Sequence, residues 1–126
     1  MTKTEREELA RRVQSYRKLN TVRYYMVTFD LKGAKGREAL YNKFHSHLNA
    51  FVGAGNTHKF IKQCYFVRCR FAQKDVRTEM QALLSERDSI LVTRLGPGAS
   101  FSLRARGAAP AARQFFADLR DAEGEL

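Results

Sequence analysis

The stretch Tyr24-Tyr25-Met26-Val27-Thr28-Phe29-Asp30-Leu31 decides the fold. Its aromatic, β-branched and apolar residues favour extended backbone. Strand alternation sends Tyr25, Val27, Phe29 and Leu31 to one face and Tyr24, Met26, Thr28 and Asp30 to the other. Apolar side chains on both faces mark a central strand covered on two sides. Asp30 brings a carboxylate to the end of that strand, where burial calls for a partner, a metal or water. Core and candidate chemistry therefore share one strand.

Working outward, Gly33-Ala34-Lys35-Gly36 turns the chain into a helix over residues 37–51, with Leu40, Phe44, Leu48 and Phe51 as its apolar stripe. Gly53-Ala54-Gly55-Asn56 ends that helix. Residues 59–70 are strand-like, as one bent strand or two short strands meeting near Gln63. A helix over 73–84 buries Val76, Met80, Leu83 and Leu84; Asp88-Ser89 then leads into a strand over 90–95, which Gly96-Pro97-Gly98 stops. Upstream, Thr4-Glu5-Arg6-Glu7 fits a capping box for a helix over 4–19. That helix has Leu9, Val13 and Tyr16 on one side and Arg6, Arg11, Arg12, Arg17 and Lys18 on the other. In the tail, Phe101, Leu103 and Ala105 alternate as a short edge strand, and Pro110 opens a helix through Phe115, Phe116 and Leu119. The expected fold is α+β: a ferredoxin-like βαββαβ sandwich with an added N-terminal helix and a C-terminal strand and helix tail. The corresponding division is a basic helix at 1–22, a core at 23–96 and an extension at 97–126.

Composition narrows the function. The chain has 126 residues, enough for one self-standing domain, and its 44% hydrophobic content excludes a disordered polymer. No apolar run approaches the roughly 20 residues of a membrane helix, and the charged N-terminus lacks a signal core, so no membrane partner and a cytoplasmic location are expected. Lysine and arginine number 23 against 13 acids, a formal charge of +10, which favours a polyanion and above all DNA or RNA. Lys59, Lys62, Arg68 and Arg70 interleave with Phe60, Tyr65 and Phe66, a mixture able to hold phosphates and stack bases. The plainer reading is an edge strand protected by charge. Lys32, Lys35 and Arg37 surround Gly33-x-x-Gly36 at a helix start, which is either a phosphate cradle or an ordinary glycine connection. Cys64 and Cys69, an odd number of residues apart on a strand, face opposite ways and read as reduced core thiols. His45 and His47 fall on different sides of a helix, and with His58 they form no evident metal set. Neither a nucleophile elbow nor a Walker loop is present.

With these residues in view, the chain resembles the CRISPR-associated protein two family (Cas-two), particularly its SinR-like branch. The resemblance spans residues 24–95: the strand ending in Asp30, the basic turn, Gln63-Cys64-Tyr65-Phe66-Val67-Arg68, and Asp88-Ser89-Ile90-Leu91-Val92. It implies a ferredoxin-like homodimer of antiviral defence that binds DNA, bridges an integrase subunit during spacer acquisition, and in some members acts as a metal-dependent endonuclease. Asp30 would then be the catalytic acid and the ligand for Mg or Mn, two copies sharing one metal across the dimer. A toxin-like endoribonuclease branch (VapD-like) is related. This chain departs from the family's second-strand polar motif, having Lys62-Gln63-Cys64 and Val67 there. The rivals are an RNA-recognition-motif module without catalysis, using Tyr65 or Phe66 to stack bases, and a structural dimerisation module. A sheet face bearing Tyr24, Met26 and Thr28 also calls for a cover, for which a two-fold dimer is the expectation.

Overall fold

The computed structural model describes residues 2–30, 37–53, 55–61, 64–96 and 109–123. Their order is α1 (Lys3–Ser15), β1 (Lys18–Asp30), α2 (Arg37–Val52), β2 (Thr57–Ile61), β3 (Cys64–Phe71), α3 (Gln73–Gln81), β4 (Ser89–Arg94) and α4 (Ala109–Glu123). The strands form one sheet in the order β2-β3-β1-β4. Every neighbouring pair is antiparallel, so the protein is α+β. β3 lies between β1 and β2, and β1 lies between β3 and β4.

Local chemistry sets the boundaries. Thr2 rather than Thr4 caps α1: its hydroxyl oxygen accepts from the Glu5 amide at 3.1 Å and its hydroxyl donates to the Glu5 carboxylate at 3.2 Å. Both threonines have a glutamate three residues on, and the earlier pair adds a half-turn of helix. The helix stops at Ser15, short of residue 19, because the chain from Lys18 already pairs with β3. Lys18 stands opposite Phe71 and Arg23 opposite Cys69, with an irregularity between them. The strand-like run after residue 57 is two strands rather than one. Gly53 adopts a φ of 98° just past α2, a left-handed conformation that glycine accepts without a Cβ penalty. The Asn56 amide closes that helix end by donating to the Val52 carbonyl at 2.9 Å. The turn at 31–36 and the expected edge strand at 101–106 lie outside the described residues.

Each face of the sheet has its own core. Tyr25, Val27 and Phe29 of β1 point into the main cluster with Phe44, Leu48 and Phe51 of α2, Val76 and Met80 of α3, and Leu9 of α1. Phe29 stacks on Phe44 at 4.5 Å and on Tyr65 at 5.5 Å. On the opposite face Tyr24, Cys64 and Phe66 pack under Phe115, Phe116 and Leu119 of α4, with Met26 at the margin. The helices are therefore not all on one side. The face whose cover was assigned to a second copy is occupied by the chain's own last helix.

Candidate nucleic-acid interface

The end of β3 carries exposed cations. Its alternation buries Tyr65, Val67, Cys69 and Phe71 on the inner face, while Arg68 and Arg70 emerge exposed on the outer face beyond Phe66. Tyr24 stands opposite Arg68, and Arg94 of β4 stands opposite Tyr25. Because β1 begins where β3 ends, Lys18 and Arg23 lie at this same end, preceded by exposed Arg17, but their partners Phe71 and Cys69 put them on the inner side of the sheet, opposite to Arg68 and Arg70. The Arg70 guanidinium donates to the Asn20 carbonyl at 2.8 Å, which fixes it across the irregular part of β1 and leaves its charge without a carboxylate in that bond. Clustered cations of this kind raise a local positive potential and attract phosphates.

The other expected residues lie elsewhere. Exposed Lys59 is on β2, its ammonium 5.9 Å from the Tyr41 ring centre and 5.8 Å from that of Tyr65, so it does not join the arginines. Arg37 is the first residue of α2. Lys32, Lys35 and Lys62 lie outside the described residues. Tyr65 and Phe66, expected to stack bases, are 1% and 5% exposed, on opposite faces, so neither presents a ring to a ligand while the helices are in place. Asp30 is half-buried at the far end of β1 opposite Ser89. Six strand steps separate it from Tyr24, roughly 20 Å at about 3.3 Å each. The candidate acid and the arginine end are thus at opposite ends of the sheet.

One titratable cluster has no counterpart in the sequence reading. Glu79 of α3 is 2% exposed and ionised, and its two oxygens take four hydrogen bonds. Arg12 of α1 donates from Nε to Oε1 at 2.9 Å and from Nη2 to Oε2 at 3.1 Å. The Tyr16 hydroxyl donates to Oε1 at 2.9 Å, and His47 Nε2 of α2 lies 2.8 Å from Oε2. Burial pushes this carboxyl upward, but the bonds from Arg12, His47 and Tyr16 outweigh it and hold the group below its ordinary value. Burial and the bond to Glu79 push the Tyr16 phenol up to about 12. The signal was available: Glu79 sits between Val76 and Met80 on the apolar stripe of α3, where a lone acid requires partners. Its hydrogen-bonding capacity is taken up by these contacts, so the cluster serves as a tie between α1, α2 and α3.

Cys64 and Cys69 are free and buried, on opposite faces as expected. Burial raises both thiols, Cys69 to about 11, so neither is a reactive thiolate near neutrality. Among the described residues, no three His, Cys, Asp or Glu side chains converge to hold a metal. Mg and Mn take several oxygen ligands, of which Asp30 supplies one carboxylate. No helix of the described residues is long and apolar enough to cross a membrane. Comparison with protein-family models, curated proteins and solved structures returns no match for the chain.

Proposed function

We propose that the protein binds nucleic acid through phosphates held at the arginine end of its sheet, on a ferredoxin-like βαββαβ core. The strand order β2-β3-β1-β4, antiparallel throughout, supports that plan. One observation carries the binding reading: Arg68 and Arg70 emerge exposed on the same face of β3, in a chain of formal charge +10. With the nearby rings covered, contact is to backbone phosphate and is tolerant of sequence. The spacer-acquisition role and the integrase partner are carried by the resemblance alone. A two-fold dimer would use the outer edge of β2 or β4, the end strands of the described sheet, rather than the face under α4. Leu91 on β4, 59% exposed, lies at such an edge. Cleavage with Mg or Mn would take two Asp30 carboxylates from two copies, as the resemblance implies.

The test is fluorescence anisotropy with labelled duplex DNA and RNA at low salt. Reversing two cations, Arg68→Glu with Arg70→Glu, should weaken binding roughly a hundredfold, whereas Lys59→Glu should change it by less than about threefold. Equal losses from the two ends of the sheet would contradict this interface. Asp30→Asn should leave affinity unchanged, and Mg- or Mn-dependent cleavage persisting at full rate in that variant would exclude Asp30 as the catalytic acid.

A further inference from the structure

The outer face of the sheet, beneath α4, has a composition unlike an ordinary helix-packing face. Tyr24 and Phe66 lie on its two central strands, His58 stands across from Phe66 on β2, and Arg68 and Arg70 follow along β3. Aromatic faces on a sheet flanked by cations suit an unpaired nucleic-acid strand, whose bases stack while its phosphates meet the cations. Here the rings that pack on this face come from the chain itself. Phe115 stands edge-on to Tyr24 at 5.4 Å, to Phe66 at 5.9 Å and to His58 at 5.8 Å. Phe116 is steeply tilted against Phe66 at 5.8 Å, and Leu119 is fully buried in the same cluster.

Within α4, Gln114 donates to Asp118 at 2.8 Å, and Arg120 to the Phe116 carbonyl at 3.3 Å. α1, by contrast, is tied to α3 by a two-point ion pair. Among the described residues, the outer cluster draws on the strands and α4 and on none of the three inner helices. The two clusters share the strands but no helix, so lifting α4 removes no residue of the inner cluster.

We infer that α4 is a self-inhibitory cover over a stacking platform for single-stranded nucleic acid, built from Tyr24, Phe66, Arg68 and Arg70. The inference rests on the nucleic-acid reading above and adds the class of ligand, an unpaired strand. With α4 seated, a strand reaches the arginines but not the rings. With α4 displaced, bases take the places of Phe115 and Phe116. The measured affinity is then reduced by the fraction of molecules in which the cover is closed.

The experiment uses the full chain and labelled ten-nucleotide single-stranded RNA and DNA. Phe115→Ser with Leu119→Asp should unseat α4 and tighten single-strand binding at least tenfold, without an equal gain for duplex. Adding Phe66→Ala should abolish that gain. Single-strand affinity equal to or weaker than wild type, in a variant whose circular dichroism retains the sheet, overturns the cover. Should the variant fail to fold, hydrogen exchange on the wild-type chain decides: saturating oligonucleotide should deprotect the amides of 109–123, and unchanged or greater protection overturns the proposal. If the wild type binds through its arginines but α4 never yields, the cover fails and the phosphate reading stands. If neither wild type nor variant binds any oligonucleotide, both fail.

Discussion

On one side of the sheet, three helices bury a continuous apolar cluster and are joined by an ionised carboxylate that reaches all of them; on the other, a single helix rests on the strands through two phenylalanines and a leucine. Both faces are aromatic, so hydrophobic burial alone does not distinguish them. The difference is in what fixes the geometry. Glu79 has one set of partners and one arrangement that satisfies them, so α1, α2 and α3 are held in register. α4 packs on the sheet through Phe115, Phe116 and Leu119, apolar contacts that give affinity for the face. A cover that must come off is better built in the second way.

The comparison can be broken from either side. The largest effect belongs to the inner face: Phe44→Ala removes a ring that is 0% exposed and stacked on Phe29, and should cost about 4 kcal/mol in urea unfolding of the whole domain. Glu79→Ala should cost about 3 kcal/mol, since it leaves Arg12, Tyr16 and His47 without their shared acceptor. Arg12 is partly exposed, which keeps the loss at the lower end for such pairs. The same group sets a pH dependence. Its folded value lies below its unfolded one, so its stabilisation is present above the unfolded value, about 4.3, and is lost as pH falls through the lower folded value. Glu79→Gln should flatten the stability profile in that acidic window; an unchanged profile would remove Glu79 as its source. Leu119→Ala should cost roughly 2–3 kcal/mol, but as local opening: exchange at 109–123 should accelerate while the midpoint of the inner core moves little. A drop in global stability matching that of Phe44→Ala would show that the faces are one cooperative unit.

Much of this architecture is legible in the residues. The two-faced pattern of Tyr24 to Phe29 identified a central strand, and both of its faces are covered. Leu40, Phe44, Leu48 and Phe51 marked the inward stripe of α2, and Pro110, Phe115, Phe116 and Leu119 marked the last helix. What periodicity does not carry is which element covers which face. The apolar outer face required a cover, and nothing in its sequence distinguished a second copy from α4. The start of β1 was obscured because Arg17 and Lys18 continue the charge pattern of α1, and pairing with Phe71, a non-local contact, claims Lys18 for the sheet. That misplacement also hid that Lys18 and Arg23 lie at the arginine end of the sheet. Arg68 and Arg70 were visible, because alternation alone puts them on one face; Lys59 was grouped with them by proximity in sequence, and the hairpin carries it away. Glu79 was overlooked because its partners come from sequence positions 32 to 67 residues distant.

The measurement that bears most directly on nucleic-acid binding at the arginine end is the salt dependence of affinity for a labelled duplex, in wild type and in Arg68→Ala with Arg70→Ala. Phosphates neutralised by cations release counterions, so wild-type affinity should fall steeply between about 50 and 200 mM salt. The logarithmic slope should shrink by about one for each arginine removed, uniformly across sequences. An affinity that ignores salt, or a double variant with the wild-type slope, would contradict the account.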